Sequence, residues 1–343
     1  MKRLIFLTAL ILVVISVNST YAVLHYWTGQ ASDDWSDLNN WTRQTTTTPL
    51  PPAASATLPS SLDEACIDFS QVVATYDSPY NLVIDSSDYI EIERLTVRKF
   101  GSVSMTGGDL YMMGASGRWR VGWRGGDDSY MNVTGGTITT KYTLQMSDNQ
   151  GTAGASKSRL DFANATASIG REIIMGDTTN PTSTIVFNFY SGSLTTGTDA
   201  TLISSSNIKN GTLNMFDGSL ILEGTLTVGA ANTEGRINLS GGTISGATNL
   251  VLNGSASGAA NIDITGGKLI FNGDLRTAID GYVTSGRILG YGVQGGFEVG
   301  TPDPPGNLRW YYDGEFTSLW AVPEPATLTL FGLGALMMIR KKR

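Results

Sequence analysis

The chain has a single cysteine, Cys66, so no internal disulfide can hold it together and its stability must come from a packed core. Cys66 itself reads as a small buried hydrophobe. There is also one histidine, His25, near the N-terminus. Ser-His-Asp and Cys-His mechanisms therefore lack a credible base, and zinc sites of the usual type lack ligands. No Walker loop or dinucleotide fingerprint occurs, and the recurring Gly-Gly pairs read as fold corners. Between residue 60 and the C-terminal apolar run, no stretch has helical periodicity.

Basic residues are also few. Six of the 23 Lys and Arg lie in the two end segments, against one of the 30 Asp and Glu. The body between the ends then has 17 basic and 29 acidic residues, a net charge near −12. That sign excludes nucleic acid as a partner and disfavours anionic lipid surfaces. Abundant in their place are 41 glycines, with much Thr, Ser and Asn, the composition of a β protein with many turns. A body of about 300 residues is long enough to bury a core.

The strongest internal signal is a repeat. Seven segments share a pattern of alternating apolar residues followed by Gly-Gly or a relative of it. Their first apolar positions are Val103, Met131, Leu160, Phe187, Leu213, Ile237 and Ile262, spaced 24 to 29 residues apart. The third copy is the weak one, with Ala165 in place of the second Gly and Ala167 in place of the last apolar residue. Within one unit, Leu213/Met215, Leu220/Leu222 and Leu226/Val228 alternate as three short strands, separated by turns at Asp217-Gly218 and Glu223-Gly224. Period-two alternation buries one face of each strand, so Met215 points inward and Asn214 points outward, where a change to Asp should be nearly neutral. One unit alone leaves its apolar face bare, whereas stacked copies make a continuous core. The expected fold is all-β, a parallel β-helix of about seven or more coils and on the order of 35 Å long. A β-sandwich built of hairpins is the alternative.

The ends read differently. Lys2 and Arg3 precede the apolar run Leu4 to Val17, and Thr20 and Ala22 suit signal peptidase, which predicts a signal peptide over 1–22 cleaved after Ala22. Residues 23–90 are expected to form an aromatic N-terminal cap and linker, with Tyr26, Trp27, Trp35 and Trp41 as the capping layer. The proline-rich, threonine-rich region 43–61 is the linker. The repeat domain is placed at 91–320, closed by Trp310, Tyr311, Tyr312, Phe316 and Trp320. Such layers blunt the unpaired strand edges at the two ends of a β-helix. Residues 321–343 hold Pro323, Glu324 and Pro325, then an uncharged apolar run from Ala326 to Ile339, then Arg340-Lys341-Lys342-Arg343. The run predicts a C-terminal transmembrane helix with the basic cluster on the cytoplasmic side.

Pro-Glu-Pro, apolar helix and basic end, in that order, resemble the PEP-CTERM domain. That resemblance implies an exosortase as processing partner, with Pro323, Glu324 and Pro325 as the recognition motif. It also implies delivery to the cell envelope or surface, or release among exopolysaccharide, by a logic shared with other removable C-terminal signals. The opening Trp27-Thr28-Gly29, Trp35 and Asn40-Trp41 is similar to the start of autotransporter-like and PEP-CTERM repeat proteins, in keeping with a β-helix.

Candidate chemistry is sparse. Arg118, Trp119, Arg120, Val121, Gly122, Trp123 and Arg124 alternate, which on a strand points Trp119, Val121 and Trp123 inward and the arginines outward. With Arg94, Arg98 and Lys99 one coil earlier, these arginines are a candidate stripe for an anionic exopolysaccharide. Calcium is considered at Asp33, Asp34, Asp37 and Asn39, or at Asp127 and Asp128, but neither set matches a known calcium loop, and the expectation is no metal. No catalytic residue and no cofactor is expected. The reading is a non-enzymatic structural or adhesive envelope protein, and the alternative is a carbohydrate-active β-helix enzyme such as a polysaccharide lyase.

Overall fold

A computed structural model describes residues 23–29, 31–44, 57–68, 81–114, 116–123, 126–147, 155–176, 183–199, 204–230, 233–253, 261–299 and 307–322. The signal peptide at 1–22, Arg124, the Pro-Glu-Pro motif and the expected membrane helix lie outside these residues. Among the described residues no helix is long and apolar enough to cross a membrane.

The repeat does what its spacing demands. All seven first positions stack in register along one parallel sheet: Val103 pairs with Met131, Met131 with Leu160, Leu160 with Phe187, and so on through Leu213, Ile237 and Ile262. The stack runs one rung further at each end, to Leu82 and to Ile288. These nine residues are all buried. The solenoid therefore begins in the strand Leu82–Ile84, earlier than the expected boundary at residue 91.

Each coil adds a second and a third strand. On the second side the inward column runs Ile90, Leu110, Ile138, Ala167, Leu194, Leu220, Ile244 and Leu269. On the third side Val97, Val121, Met146, Met175, Ile208, Val228 and Leu252 stack in the same way. Seven three-sided coils result, from Leu82 to Leu252. The expected turn at Glu223-Gly224 is a bend inside one strand, Ser219–Val228, where the pairing register shifts and Gly224 has φ +77°. The weak third copy keeps its corner by another means. Asn164 takes φ +52° there, a left-handed conformation that asparagine tolerates.

The two ends are blunted by different devices. At the N-terminus the third side gains two parallel rungs, Glu64–Asp68 and Leu24–Trp27, and Trp41–Gln44 then pairs antiparallel to end the stack. Trp41 lies edge-on to both Trp27 and Trp35, at 5.1 and 4.6 Å between ring centres. Its indole N–H donates to the Trp35 carbonyl at 2.9 Å.

At the C-terminus each side closes separately. Val293–Gln294 pairs antiparallel on the first side and Phe316–Ala321 on the second. The third side is covered by a helix, Arg276–Thr284, which corrects the expectation of no helix after residue 60. Its Leu275, Ile279 and Val283 are buried at four-residue intervals. The Tyr282 hydroxyl accepts from the Leu252 N–H at 3.2 Å and donates to the Leu250 carbonyl at 3.3 Å, so it satisfies the edge of the last third-side strand. Of the five C-terminal aromatics expected to cap, Trp310 is buried, whereas Tyr311 is 47% exposed.

Candidate functional site

The arginine segment sits on the outer surface of the third side, and its geometry differs from a solvated stripe. Trp119 and Val121 face inward as expected. Gly122 takes φ +74° and breaks the alternation, so Trp123 is half-buried outside the core and not inside it. The guanidinium of Arg120 stacks over that ring at 4.8 Å and that of Arg98 at 5.8 Å. Arg120 also donates to Gln145 Oε1 at 2.9 Å, and Arg94 pairs with Glu64 at 3.1 Å. Arg98 and Arg120 are consequently buried, 6% and 4% exposed. Outward is not the same as exposed when a large ring folds over the surface. Arg118 is half-buried.

The outer face of the first side carries a second constellation, which the repeat pattern did not single out. Asp161 is its centre. Its carboxylate accepts twice from Arg159, at 3.0 and 2.7 Å, once from the Tyr130 hydroxyl at 3.0 Å, and once from Asn188 Nδ2 at 2.7 Å. Burial alone would raise the Asp161 pKa, but these donors outweigh it and hold the carboxyl below its ordinary value. The same bonds push Arg159 up. Tyr130 is raised by burial and by its bond to Asp161.

An ionised carboxylate can only accept hydrogen bonds, so Asp161 fixes the polarity of everything above it. Asn188 turns its N–H toward Asp161 and its carbonyl oxygen toward the next coil. Asn214 donates to that oxygen at 2.8 Å, and Asn238 donates to Asn214 at 2.8 Å. Beside this ladder, at the corner just past the ends of the strands Thr184–Phe189 and Gly211–Met215, Tyr190 and Phe216 stack at 4.9 Å with their planes 8° apart. They are 41% and 45% exposed. At the foot of the ladder lies an open groove of about 310 Å³ lined by Asp128, Tyr130, Lys157 and Arg159. Sequence reasoning saw only that these positions point outward. The recurrence of Asp or Asn three residues before the corner in six of the seven copies, from Asn132 to Asp263, was the available signal.

His25 is buried beside Asp63 at 3.7 Å, and burial lowers its pKa. Asp34 and Asp37 accept hydrogen bonds from Ser36 and Asn39 in local turns. Asp127 accepts from the Trp123 N–H at 2.7 Å, and Asp128 pairs with Lys157 at 3.8 Å. Among the described residues, no three His, Cys, Asp or Glu gather as a metal site.

Comparison with known families decides the tail. Residues 321–343 match the PEP-CTERM protein-sorting motif. This is therefore an exported protein, sorted by an exosortase toward the cell envelope or surface. The PEP-CTERM match covers the tail and none of the solenoid. No curated protein and no solved structure matches the chain.

Proposed function

We propose that the solenoid is the non-enzymatic, structural or adhesive part of an envelope or extracellular-matrix protein, placed there through its PEP-CTERM tail. The observation that supports this best is the state of the titratable groups on the first-side face. Asp161 is held ionised, Arg159 is held charged and Tyr130 is pushed upward. A general acid or base works best with its pKa near the operating pH, and these groups are all moved away from it. They are spent on each other, in a pattern that stiffens a surface.

A lyase is the competing reading, because Lys157, Arg159 and Tyr130 border one groove. Incubating the purified protein with uronate polysaccharides separates the two. The structural reading expects no new reducing ends and no ultraviolet-absorbing unsaturated product, and appearance of that chromophore would overturn it. Sorting is tested alongside. Glu324→Ala is expected to leave the precursor in the inner membrane, while wild type is processed near Val322 and reaches the envelope. If fractionation and mass spectrometry find both proteins trimmed alike, Pro323, Glu324 and Pro325 do not act as the processing signal.

A further inference from the structure

The first-side face ends in two features that the packing of the solenoid does not require. One is the exposed ring pair Tyr190 and Phe216. Their neighbours in the same corner column, Ala163 and Ser240, are small, so the rings stand proud of the surface between them. The other is spare amide capacity. Each asparagine nitrogen carries two N–H groups, and the ladder uses one from Asn214 and one from Asn238. Asn214 is half-buried and Asn238 exposed, so the ladder leaves each a second N–H to donate, one coil apart, about 4.8 Å.

We propose that this face binds a neutral polysaccharide. Tyr190 and Phe216 are the stacking platform for the apolar C–H faces of pyranose rings, and Asn214 and Asn238 are donors to their hydroxyls. The assignment rests on the adhesive reading above and gives it a ligand class. Charge favours a neutral chain: Lys157 and Arg159 are already paired with Asp128 and Asp161, and the body is acidic, so an anionic chain gains no free cation here. Area favours a glycan over a protein partner. Two rings flanked by amides fall well short of the roughly 800 Å² per partner of a stable protein interface, but they suit a narrow, polyhydroxylated chain with an apolar side.

The test is affinity electrophoresis of the full chain through gels containing hydroxyethylcellulose, galactomannan or dextran. Wild type should be retarded by at least one of them, and the retardation should persist at high salt, since no ion pair is involved. Tyr190→Ser with Phe216→Ser should weaken it roughly tenfold or more. Ser240→Lys keeps both rings but lays a cationic chain beside Phe216, and it should weaken binding without lowering the melting temperature. Arg118→Gln should change nothing. If wild type runs freely in all three gels, or if both ring and Ser240 variants are retarded like wild type, the assignment is overturned. Self-association through the same face would overturn it too. Fractionation of wild type separates the two ideas: a wild type that is retained in the envelope but runs freely in every gel sinks only the ligand, whereas a wild type that is never retained sinks the adhesive reading itself.

Discussion

At Met215 and Asn214 two neighbouring residues face opposite environments, and both faces are demanding. Met215 is fully buried between Phe189 and Leu239 of the adjacent coils. Met215→Asp places an unpaired charge there and should cost several kcal/mol, on the order of 4. Asn214→Asp was expected to be nearly neutral, but Asn214 donates to Asn188 and accepts from Asn238. The substitution puts a carboxylate against the Asn188 oxygen and should cost about 1 kcal/mol at neutral pH. The cost should shrink on acidification, because a protonated carboxyl can donate again. Thermal melts of both variants at pH 7 and pH 4 check this, and equal shifts for the two at pH 7 would mean the inward and outward faces are misassigned. Asp161 gives the opposite acid response. Its folded pKa is depressed, so its contribution is present above the unfolded value of about 3.9 and is lost as pH falls through the folded value. Asp161→Asn should lower the melting temperature at pH 7 and flatten the acid limb below about pH 4.

Corners decide the elements. At Gly218, φ is +84°, and an added Cβ would meet the Gly192 oxygen at 2.6 Å and the Phe189 ring at 2.9 Å. Gly218→Ala should therefore cost about 2 kcal/mol or more. At the corresponding corner of the weak coil, Asn164→Gly should stay within about 0.5 kcal/mol, since glycine adopts that conformation freely and only the side-chain bond to Ser191 is lost. Denaturant melts measure both, and a harmless Gly218→Ala would mean the corner is not strained. These same corners explain what the sequence made legible. Gly-Gly at a steady period, with apolar residues at positions one and three, fixes both the strand and its neighbour, so all seven rungs could be read in advance. The helix Arg276–Thr284 escaped because its apolar stripe is only Leu275, Ile279 and Val283, interrupted by Gly281 and two threonines. The candidate face escaped for a different reason. Alternation reveals which side chains point out, but only the register of neighbouring coils reveals that Asp161, Asn188, Asn214 and Asn238 meet. Trp123 is the converse case: one positive φ at Gly122 undid a perfect alternation and covered Arg120.

Across the whole molecule, stability is carried between adjacent coils, because each strand pairs only with the rung before and the rung after. Such a stack behaves as a one-dimensional array whose stability sums over units and nearest-neighbour interfaces. A coil should then be removable if the register is kept. Deleting residues 187–212 takes out 26 residues and brings Leu213 into the place of Phe187, directly after Val186. The in-register partners match, since Val186 already pairs with Thr212 and Phe187 with Leu213. The shortened protein should unfold cooperatively at a lower temperature, and small-angle scattering should show a rod shorter by about 4.8 Å. Deleting only residues 187–199 removes half a coil, including the whole second-side strand Gly192–Thr195, so the third-side strand Ser205–Ile208 would follow the truncated first side and fall out of phase with its neighbours. That variant should show no cooperative transition. If the two deletions melt alike, coils are not the unit of stability and the core is held by something other than their stacking.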